Sequence, residues 1–182
     1  MEMYHFEKVK IAHLPMIHRW LETPAVRQWW IDAEGKPADP IQADDLAAPS
    51  IDMWIVSLRG RPFAFMQDYD PHASQGHHFG HLPLRSRGID QFIGDPDMIG
   101  RGHGPSFIRA RLDALFDGGV PAVGTDPHPE NAYAIRAYEK AGFCKTEIRE
   151  TAWGRCQLME RHSPKPADGA HLTVAPHHLA GC

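Results

Sequence analysis

Apolar and polar positions along the first half of the chain change period several times, and each change predicts a new element. Residues 4–11 alternate as a half-buried strand does, whereas Leu14, Ile17 and Leu21 recur on one face of a helix. Two apolar runs flank the turn Arg59-Gly60-Arg61-Pro62 and predict a β-hairpin. The predicted helical pieces cover 14–23, 25–30 and 41–48, and the hairpin strands cover 51–58 and 62–70.

Strands and helices alternate in the second half. Buried strands are predicted at 88–94 and 120–126, helices at 105–117 and 129–141, and a closing strand pair at 143–151 and 154–161. A helix between two buried strands implies a parallel, right-handed crossover. The pattern therefore predicts an α/β fold of the α+β type: a mixed sheet flanked by helices, with strand 88–94 at its centre. We expect one domain over residues 1–162, followed by a Pro- and Gly-rich tail over 163–182.

Composition favours a globular protein of the cytoplasm. The apolar fraction of 42% and charged fraction of 23% are ordinary, and no apolar run is long enough to span a bilayer. The first ten residues lack the apolar centre of a signal peptide. The 3 cysteines are odd in number and have no Cys-x-x-Cys spacing, so we expect a reducing compartment and no disulfide.

Charge narrows the choice of partner. A net charge of −4 disfavours nucleic acid, which needs a basic surface, and is compatible with a cationic small molecule. The chain has 13 histidines, and four of them crowd one stretch: His72, His77, His78 and His81. No cysteine or His-Glu-x-x-His pattern accompanies them, so solvated loop histidines are favoured over a metal site, and no metal is expected.

Three glycines precede the predicted helix 105–117. Gly100, Gly102 and Gly104 give the backbone unusual freedom where exposed N–H groups at a helix start form an anion site. The segment is neither a P-loop, since no Gly-Lys-Ser/Thr follows, nor a good dinucleotide fingerprint. A phosphate site and a plain connection both remain open at this point.

A second candidate feature lies on the helix of residues 129–141. Asn131 and Tyr138 are seven residues apart and fall on nearly the same face, with Ile135 between them. Taken alone, each residue favours a structural interpretation: Tyr138 as a core aromatic residue, and Asn131 as a residue of the first helical turn.

These two segments together resemble the central motifs of the GCN5-related N-acetyltransferase superfamily. The first is Ile99-Gly-Arg-Gly-His-Gly104 before a helix, and the second is the run from Pro129 to Phe143. The first motif normally begins with Gln or Arg, so Ile99 departs from it. The wider pattern resembles the aminoglycoside 6′-N-acetyltransferases from about Phe6 to Arg161, with residues 70–87 unrecognisable. The matched blocks are 29–30, 87–91, 125–131 and 134–143.

The resemblance implies that the glycine turn binds the diphosphate of acetyl-CoA, and that a splay at the centre of the sheet receives its pantetheine arm. For Arg101, a charge at the rim and a solvated loop arginine remain equal alternatives. The residues implied for acetyl-CoA are Gln91, Phe92, Ile93, Ile99, Gly100, Arg101, Gly102, His103, Gly104, Asn131, Ala134 and Tyr138.

The resemblance also implies direct acetyl transfer, without a covalent enzyme intermediate. Asp90 would accept the proton of the attacking amine, and Tyr138 would donate one to the leaving thiolate. The alternative for Asp90 is a buried carboxylate paired with Arg87 or Arg136.

A polycationic substrate would need further contacts around Asp90. Asp126 and Asp68 are the carboxylates expected to add to its site, and Trp29 and Trp30 the aromatic residues expected to line it. Asp126 is alternatively a cap before Pro127, and the tryptophans are alternatively core residues.

The expected activity is therefore acetylation of an aminoglycoside 6′-amine by a monomer or homodimer. Two rivals remain: an acyltransferase of siderophore biosynthesis acting on N-hydroxylysine, and a silent acetyl-CoA-binding module.

Overall fold

A computed structural model of the chain describes residues 3–164, and its centre is a seven-stranded sheet. The strands are β1 Tyr4–Lys8, β2 Ile51–Leu58, β3 Arg61–Tyr69, β4 Arg87–Ile93, β5 Ala122–Thr125, β6 Cys144–Thr151 and β7 Gly154–His162. Their spatial order is β1-β2-β3-β4-β5-β7-β6, so β4 is the middle strand. This confirms the predicted mixed sheet and the central place of the strand that precedes the glycine turn.

In the described part of the chain, four α-helices cover the sheet: α1 Leu14–Leu21, α2 Pro24–Arg27, α3 His103–Asp117 and α4 Ala132–Lys140. The second helix is much shorter than predicted, because the amides of Trp29 and Trp30 both turn back to the carbonyl of Val26. The helix predicted over 41–48 is only a 3₁₀ turn, Asp44–Ala47. Pro40 and Pro49 bracket the segment, so it is too short to gain much from helical hydrogen bonds.

The connection from β4 through α3 to β5 is the expected parallel crossover. The pairing between β4 and β5, however, ends after two residue pairs. β4 pairs with β5 only at Arg87–Val123 and Gly88–Gly124, whereas its other edge pairs with β3 through to Ile93. Beyond Gly88, the edge of β4 that faces β5 therefore has no strand partner in residues 3–164. The sheet is splayed at its centre, as the resemblance implied.

Alternation along the strands separates the apolar residues into two layers. On one face, Met66 and Ile89 of the sheet share a core with Phe107 and Leu112 of α3 and Ile135 of α4. On the opposite face, Phe65 and Phe92 of the sheet share a core with Ile17 and Trp20 of α1 and Val26 of α2. The splay between β4 and β5 lies between these two layers.

The remaining expectations about chain organisation have mixed outcomes. The tail predicted over 163–182 lies outside the described residues from position 165 onward, so the domain boundary stays a prediction. Within residues 3–164, no helix has the length and apolar character to cross a membrane. Cys156 is a buried free thiol, but Cys144 is disulfide-bonded, so the expectation of no disulfide is wrong for that residue.

Candidate active site

The glycine turn leads into α3 with its backbone exposed. Gly100 and Gly102 have φ angles of 76° and 82°, a left-handed conformation that favours glycine. Gly102 is the N-terminal cap of α3 and offers no side-chain acceptor to the first helical N–H groups. A Cβ atom at either glycine would meet nothing within 4 Å. The turn thus places the start of a helix, where N–H groups have no intrahelical acceptor, beside open space, and this fits a bound diphosphate.

The side chains beside these glycines point in different directions. The His103 imidazole is buried, with Nδ1 3.0 Å from the Tyr4 hydroxyl oxygen, so the expected contact of His103 with acetyl-CoA is restricted to its backbone N–H. Ile99 and Arg101 are exposed at the surface of the turn. Gly104 is buried, and a Cβ there would lie 3.8 Å from Ala137 on α4.

The free edge of β4 carries the residues expected to hold the pantetheine arm. The Phe92 side chain is buried and stacks on Phe65 with ring centroids 5.2 Å apart. Ile93 packs against the core on the α3 face. Because these side chains are occupied by packing, binding along Gln91–Ile93 would use main-chain N–H and C=O groups, as an added strand does.

Asp90 lies on β4 at the splay, in surroundings that favour its protonated form. Its Oδ2 accepts a hydrogen bond of 2.8 Å from the Gln67 side-chain amide. Burial, and next the nearby charge of Asp126, raise the pKa of Asp90 to about 7. The residue nevertheless keeps partial exposure, which a base that meets a substrate requires. A carboxyl group with this pKa accepts protons efficiently near neutral pH.

The alternative ion pairs for Asp90 are not formed. Arg87 donates instead to Asp68 and Asp52, and Arg136 lies over the Tyr133 ring at 5.0 Å. The carboxylate of Asp90 therefore faces another acid and an amide rather than a guanidinium.

Tyr138 lies on α4 close to the same carboxylates. Its ring packs edge-on against Phe143 at 5.4 Å, and only 4% of the residue is exposed. Burial, followed by the charge of Asp90, raises the pKa of Tyr138 above its ordinary value, so its hydroxyl stays protonated. A buried, protonated hydroxyl is suited to proton donation. The neighbouring Thr125 and Gln91 side chains interact with this hydroxyl and partly oppose the rise in its pKa.

Asp126 follows β5 and contacts a histidine that the sequence did not single out for this site. Its Oδ2 lies 3.0 Å from Nε2 of His78, and both side chains are largely buried. Asp126 also acts electrostatically on Asp90 and Tyr138, so the three predicted residues share one site.

Asn131 forms the N-terminal cap of α4. Its Oδ1 accepts a 3.1 Å hydrogen bond from the backbone N–H of Ala134. Because the cap occupies the side-chain oxygen, the expected contact of Asn131 with pantetheine would use its amide nitrogen. Ala134, expected beside it, is partly buried and packs against the core.

Asp68 is not a substrate-binding residue, and this prediction is wrong. Its register partner is Ile89, which places it on the α3 face, whereas Asp90 pairs with Gln67 on the opposite face. Only 1% of Asp68 is exposed. Its carboxylate accepts hydrogen bonds from three donors within the core: Trp54 at 2.8 Å, Arg87 at 3.0 Å and Arg111 at 2.6 Å.

The two tryptophans differ in their surroundings. Trp30 packs edge-on against Phe65 and Phe92 at 5.9 and 5.1 Å, in agreement with the core alternative. Trp29 lies 5.6 Å from the His128 ring, beside the segment that carries Asp126. Trp29 is therefore the better placed of the two to line a substrate cleft.

Two residues at this site were missed by the sequence analysis, Gln67 and His78. Gln67 gave no signal, because its proximity to Asp90 depends on strand register. His78 belonged to a visible histidine cluster that was interpreted as solvated. In residues 3–164, no group of three or more His, Cys, Asp or Glu side chains is placed to hold a metal ion.

Comparisons with known proteins agree with this geometry. The model of the acetyltransferase (GNAT) domain family matches residues 10–151. The aminoglycoside N(6′)-acetyltransferase type 1 of Klebsiella pneumoniae is 34% identical over 137 residues, which cover 71% of this chain and 68% of the relative.

Solved structures give the same result. AAC(6′)-Ib in complex with paromomycin and acetyl-CoA superposes with a TM-score of 0.78 at 28% identity, covering 88% of this chain and 94% of the other. AAC(6′)-Ib with ribostamycin and coenzyme A gives a TM-score of 0.79 at 29% identity, with the same coverage. The glycine turn, the splayed sheet and these similarities lead to one conclusion: the chain belongs to the GNAT acetyltransferase family.

Proposed function

We propose that this protein transfers the acetyl group of acetyl-CoA to the 6′-amine of aminoglycoside antibiotics, and so acts as a resistance enzyme. The observation that carries the proposal is the meeting of Asp90, Asp126 and Tyr138 at the splay between β4 and β5. Relatives named as aminoglycoside N(6′)-acetyltransferases, and structures of AAC(6′)-Ib with aminoglycosides bound, support the choice of substrate.

The binding of acetyl-CoA is assigned to main-chain groups. The N–H groups at the start of α3 would hold the diphosphate, with the N–H of His103 among them, and the free edge of Gln91–Ile93 would hold the pantetheine arm. When bound there, acetyl-CoA supplies the acetyl group as an activated thioester. Arg101, exposed on the turn, would add positive charge at the rim.

The chain supplies one proton acceptor and one proton donor. As the amine nitrogen bonds to the acetyl carbon, Asp90 accepts the proton that the nitrogen loses. As the carbon–sulfur bond breaks, the Tyr138 hydroxyl gives its proton to the departing sulfur. The raised pKa of Asp90, about 7, and the raised pKa of Tyr138 suit these two roles.

The pair of carboxylates favours a substrate with several ammonium groups. Asp90 would face the reacting amine, and Asp126 would hold another part of the same molecule. N-Hydroxylysine has fewer cationic groups and its own carboxylate, so it would gain less from the pair. The proposed partner is thus a cationic small molecule rather than nucleic acid. Because the reaction consumes acetyl-CoA, we also propose that the protein acts in the cytoplasm.

A thiol-release assay with kanamycin, ribostamycin and N-hydroxylysine tests the proposal. We expect acetyl-CoA-dependent release with both aminoglycosides. Asp126→Asn should mainly raise the Michaelis constant for kanamycin, because it removes binding common to the ground and transition states. Asp113→Asn, which makes the same charge change at an exposed position on α3, should leave the constant unchanged.

Two outcomes would overturn the proposal. Release with N-hydroxylysine alone would assign the protein to siderophore chemistry. Binding of acetyl-CoA without release for any amine would identify a silent module.

A further inference from the structure

The histidine-rich loop encloses His78 at the edge of the proposed active site. Its ring lies between other rings, 4.2 Å from His77, 4.4 Å from Phe79 and 5.6 Å from Trp153 at the β6–β7 turn. Only 7% of His78 is exposed. Packing on several sides fixes the imidazole, so its position is a property of the fold rather than of a solvated loop.

One atom of this ring has an unusual environment. Nε2 of His78 is 3.0 Å from Oδ2 of Asp126, yet the two groups are not aligned as a hydrogen bond, and Nε2 has no hydrogen-bond partner among the described residues. A buried polar nitrogen without such a partner costs stability. The Asp126 carboxylate is the polar group that the structure places beside this nitrogen.

We propose that His78 is a positioning residue that fixes the Asp126 carboxylate and neutralises part of its charge. It acts on the reaction only through Asp126 and, beyond it, Asp90. The kinetic part of this inference rests on the proposed function, whereas the electrostatic part concerns the protein alone.

The effect on Asp90 has a definite sign. The negative charge of Asp126 raises the pKa of Asp90, so a group that offsets this charge favours the ionised pair. Removing His78 should therefore raise the pH at which the carboxylate pair loses its last proton. Other titratable side chains also interact electrostatically with one or both of these carboxylates: Tyr69, Tyr138, Cys156 and His77. His77 in turn interacts with His72.

The neighbouring His77 does not substitute for His78. Burial, followed by the influence of His78, lowers the pKa of His77 to about 4, so it is neutral at physiological pH. Its ring lies against Tyr69 at 5.5 Å and Trp153 at 5.2 Å. His77 therefore serves as packing for His78.

A carboxyl ¹³C NMR titration of the free protein tests the electrostatic part without any substrate. His78→Phe keeps an aromatic ring in the cluster and removes the nitrogen, whereas His78→Gln keeps an N–H donor. We expect His78→Phe to move the upper titration of the Asp90–Asp126 pair to higher pH by about 1 unit, and His78→Gln to move it less. The matched control is His81→Phe, in the same loop, because His81 Nε2 contacts Glu160 at 2.8 Å.

A reciprocal NMR experiment covers the case in which His78→Phe does not fold. In the near-isosteric variant Asp126→Asn, the chemical shifts of the His78 ring nitrogens should change, because an amide replaces the carboxylate oxygen that lies 3.0 Å from Nε2. Unchanged ring signals, or an unchanged carboxyl titration in a folded His78→Phe protein, would overturn the inference. An equal carboxyl shift in His81→Phe would overturn it as well.

Kinetic measurements then distinguish a positioning role of His78 from a purely structural one. His78→Phe should raise the Michaelis constant for kanamycin several-fold and move the acidic limb of kcat/KM with the NMR titration, while the Kd for acetyl-CoA stays constant. A purely structural role would change thermal stability without moving that limb. If the wild type acetylates no aminoglycoside, the proposed function fails, and the two NMR experiments still decide this inference.

Discussion

The side-chain amide of Gln67 donates a 2.8 Å hydrogen bond to Asp90, and the two residues are direct register partners across β3 and β4. The pairing places both side chains on the same face of the sheet, at the start of the splay. Gln67 is also the group that opposes the rise in the pKa of Asp90, since its N–H stabilises the ionised carboxylate. The strength of the proposed base is thus set by a neighbouring strand.

Replacing Gln67 tests this relationship. Gln67→Met keeps the length of the side chain and removes the donor, so the pKa of Asp90 should rise further. The acidic limb of kcat/KM for kanamycin should move to higher pH, while the plateau at high pH changes little. The surface variant Gln42→Met is the control. An unchanged limb in Gln67→Met would show that Asp90 does not control it.

Asp90 should also reduce stability at neutral pH. Its pKa of about 7 in the folded protein exceeds the ordinary 3.8, so the folded state gains a proton more readily than the unfolded state. The stabilisation is present below pH 4 and is lost as the pH rises through about 7.

Asp90→Asn removes this titration, so its melting temperature relative to wild type should increase between pH 5 and pH 8. Thermal unfolding at the two pH values measures the difference. A difference that does not vary with pH would contradict the raised pKa.

Replacing a glycine of the turn before α3 by a larger residue should have two separable effects, one on stability and one on acetyl-CoA binding. Gly102→Val places a β-branched residue at a φ of 82°, which costs about 1–2 kcal/mol, and adds bulk where the diphosphate is proposed to bind. Gly35 has a similar φ of 75° and equally open space, away from α3.

Gly35→Val should therefore lose similar stability and keep its affinity for acetyl-CoA, whereas Gly102→Val should lose both. Thermal unfolding and calorimetric titration with acetyl-CoA distinguish the two variants. Equal affinities would remove the diphosphate from this turn.

Tyr138→Phe isolates the hydroxyl, because the packing of the ring against Phe143 is retained. We expect kcat to fall roughly tenfold to a thousandfold, with little change in the Kd for acetyl-CoA. Tyr133→Phe removes a hydroxyl from the exposed side of the same helix and should have no effect. A wild-type kcat in Tyr138→Phe across pH would leave the residue with a packing role alone.

Features of the fold that depend on local sequence pattern were predicted correctly. The hairpin of β2 and β3, the crossover through α3 and the central place of β4 all follow from periodicity and from Gly and Pro positions. The helix predicted over 25–30 is shorter than expected, and the one predicted over 41–48 is only a 3₁₀ turn, because short segments next to prolines gain too little from helical hydrogen bonds.

The errors in the site arise from long-range pairing. Asp68 and Asp90 lie on different strands, and alternation within each strand does not reveal which side chains share a face. The register and two distant arginines, Arg87 and Arg111, place Asp68 in the core. His78 reaches Asp126 from 48 positions earlier in the chain, through a loop without a recognisable pattern.

The position of the acetyl group on the product tests the central claim most directly. Kanamycin incubated with acetyl-CoA and the wild-type protein should give a single monoacetylated product, and two-dimensional NMR should place the acetyl group on the 6′-nitrogen. An acetyl group on another amine, or no acetylated product, would contradict the account.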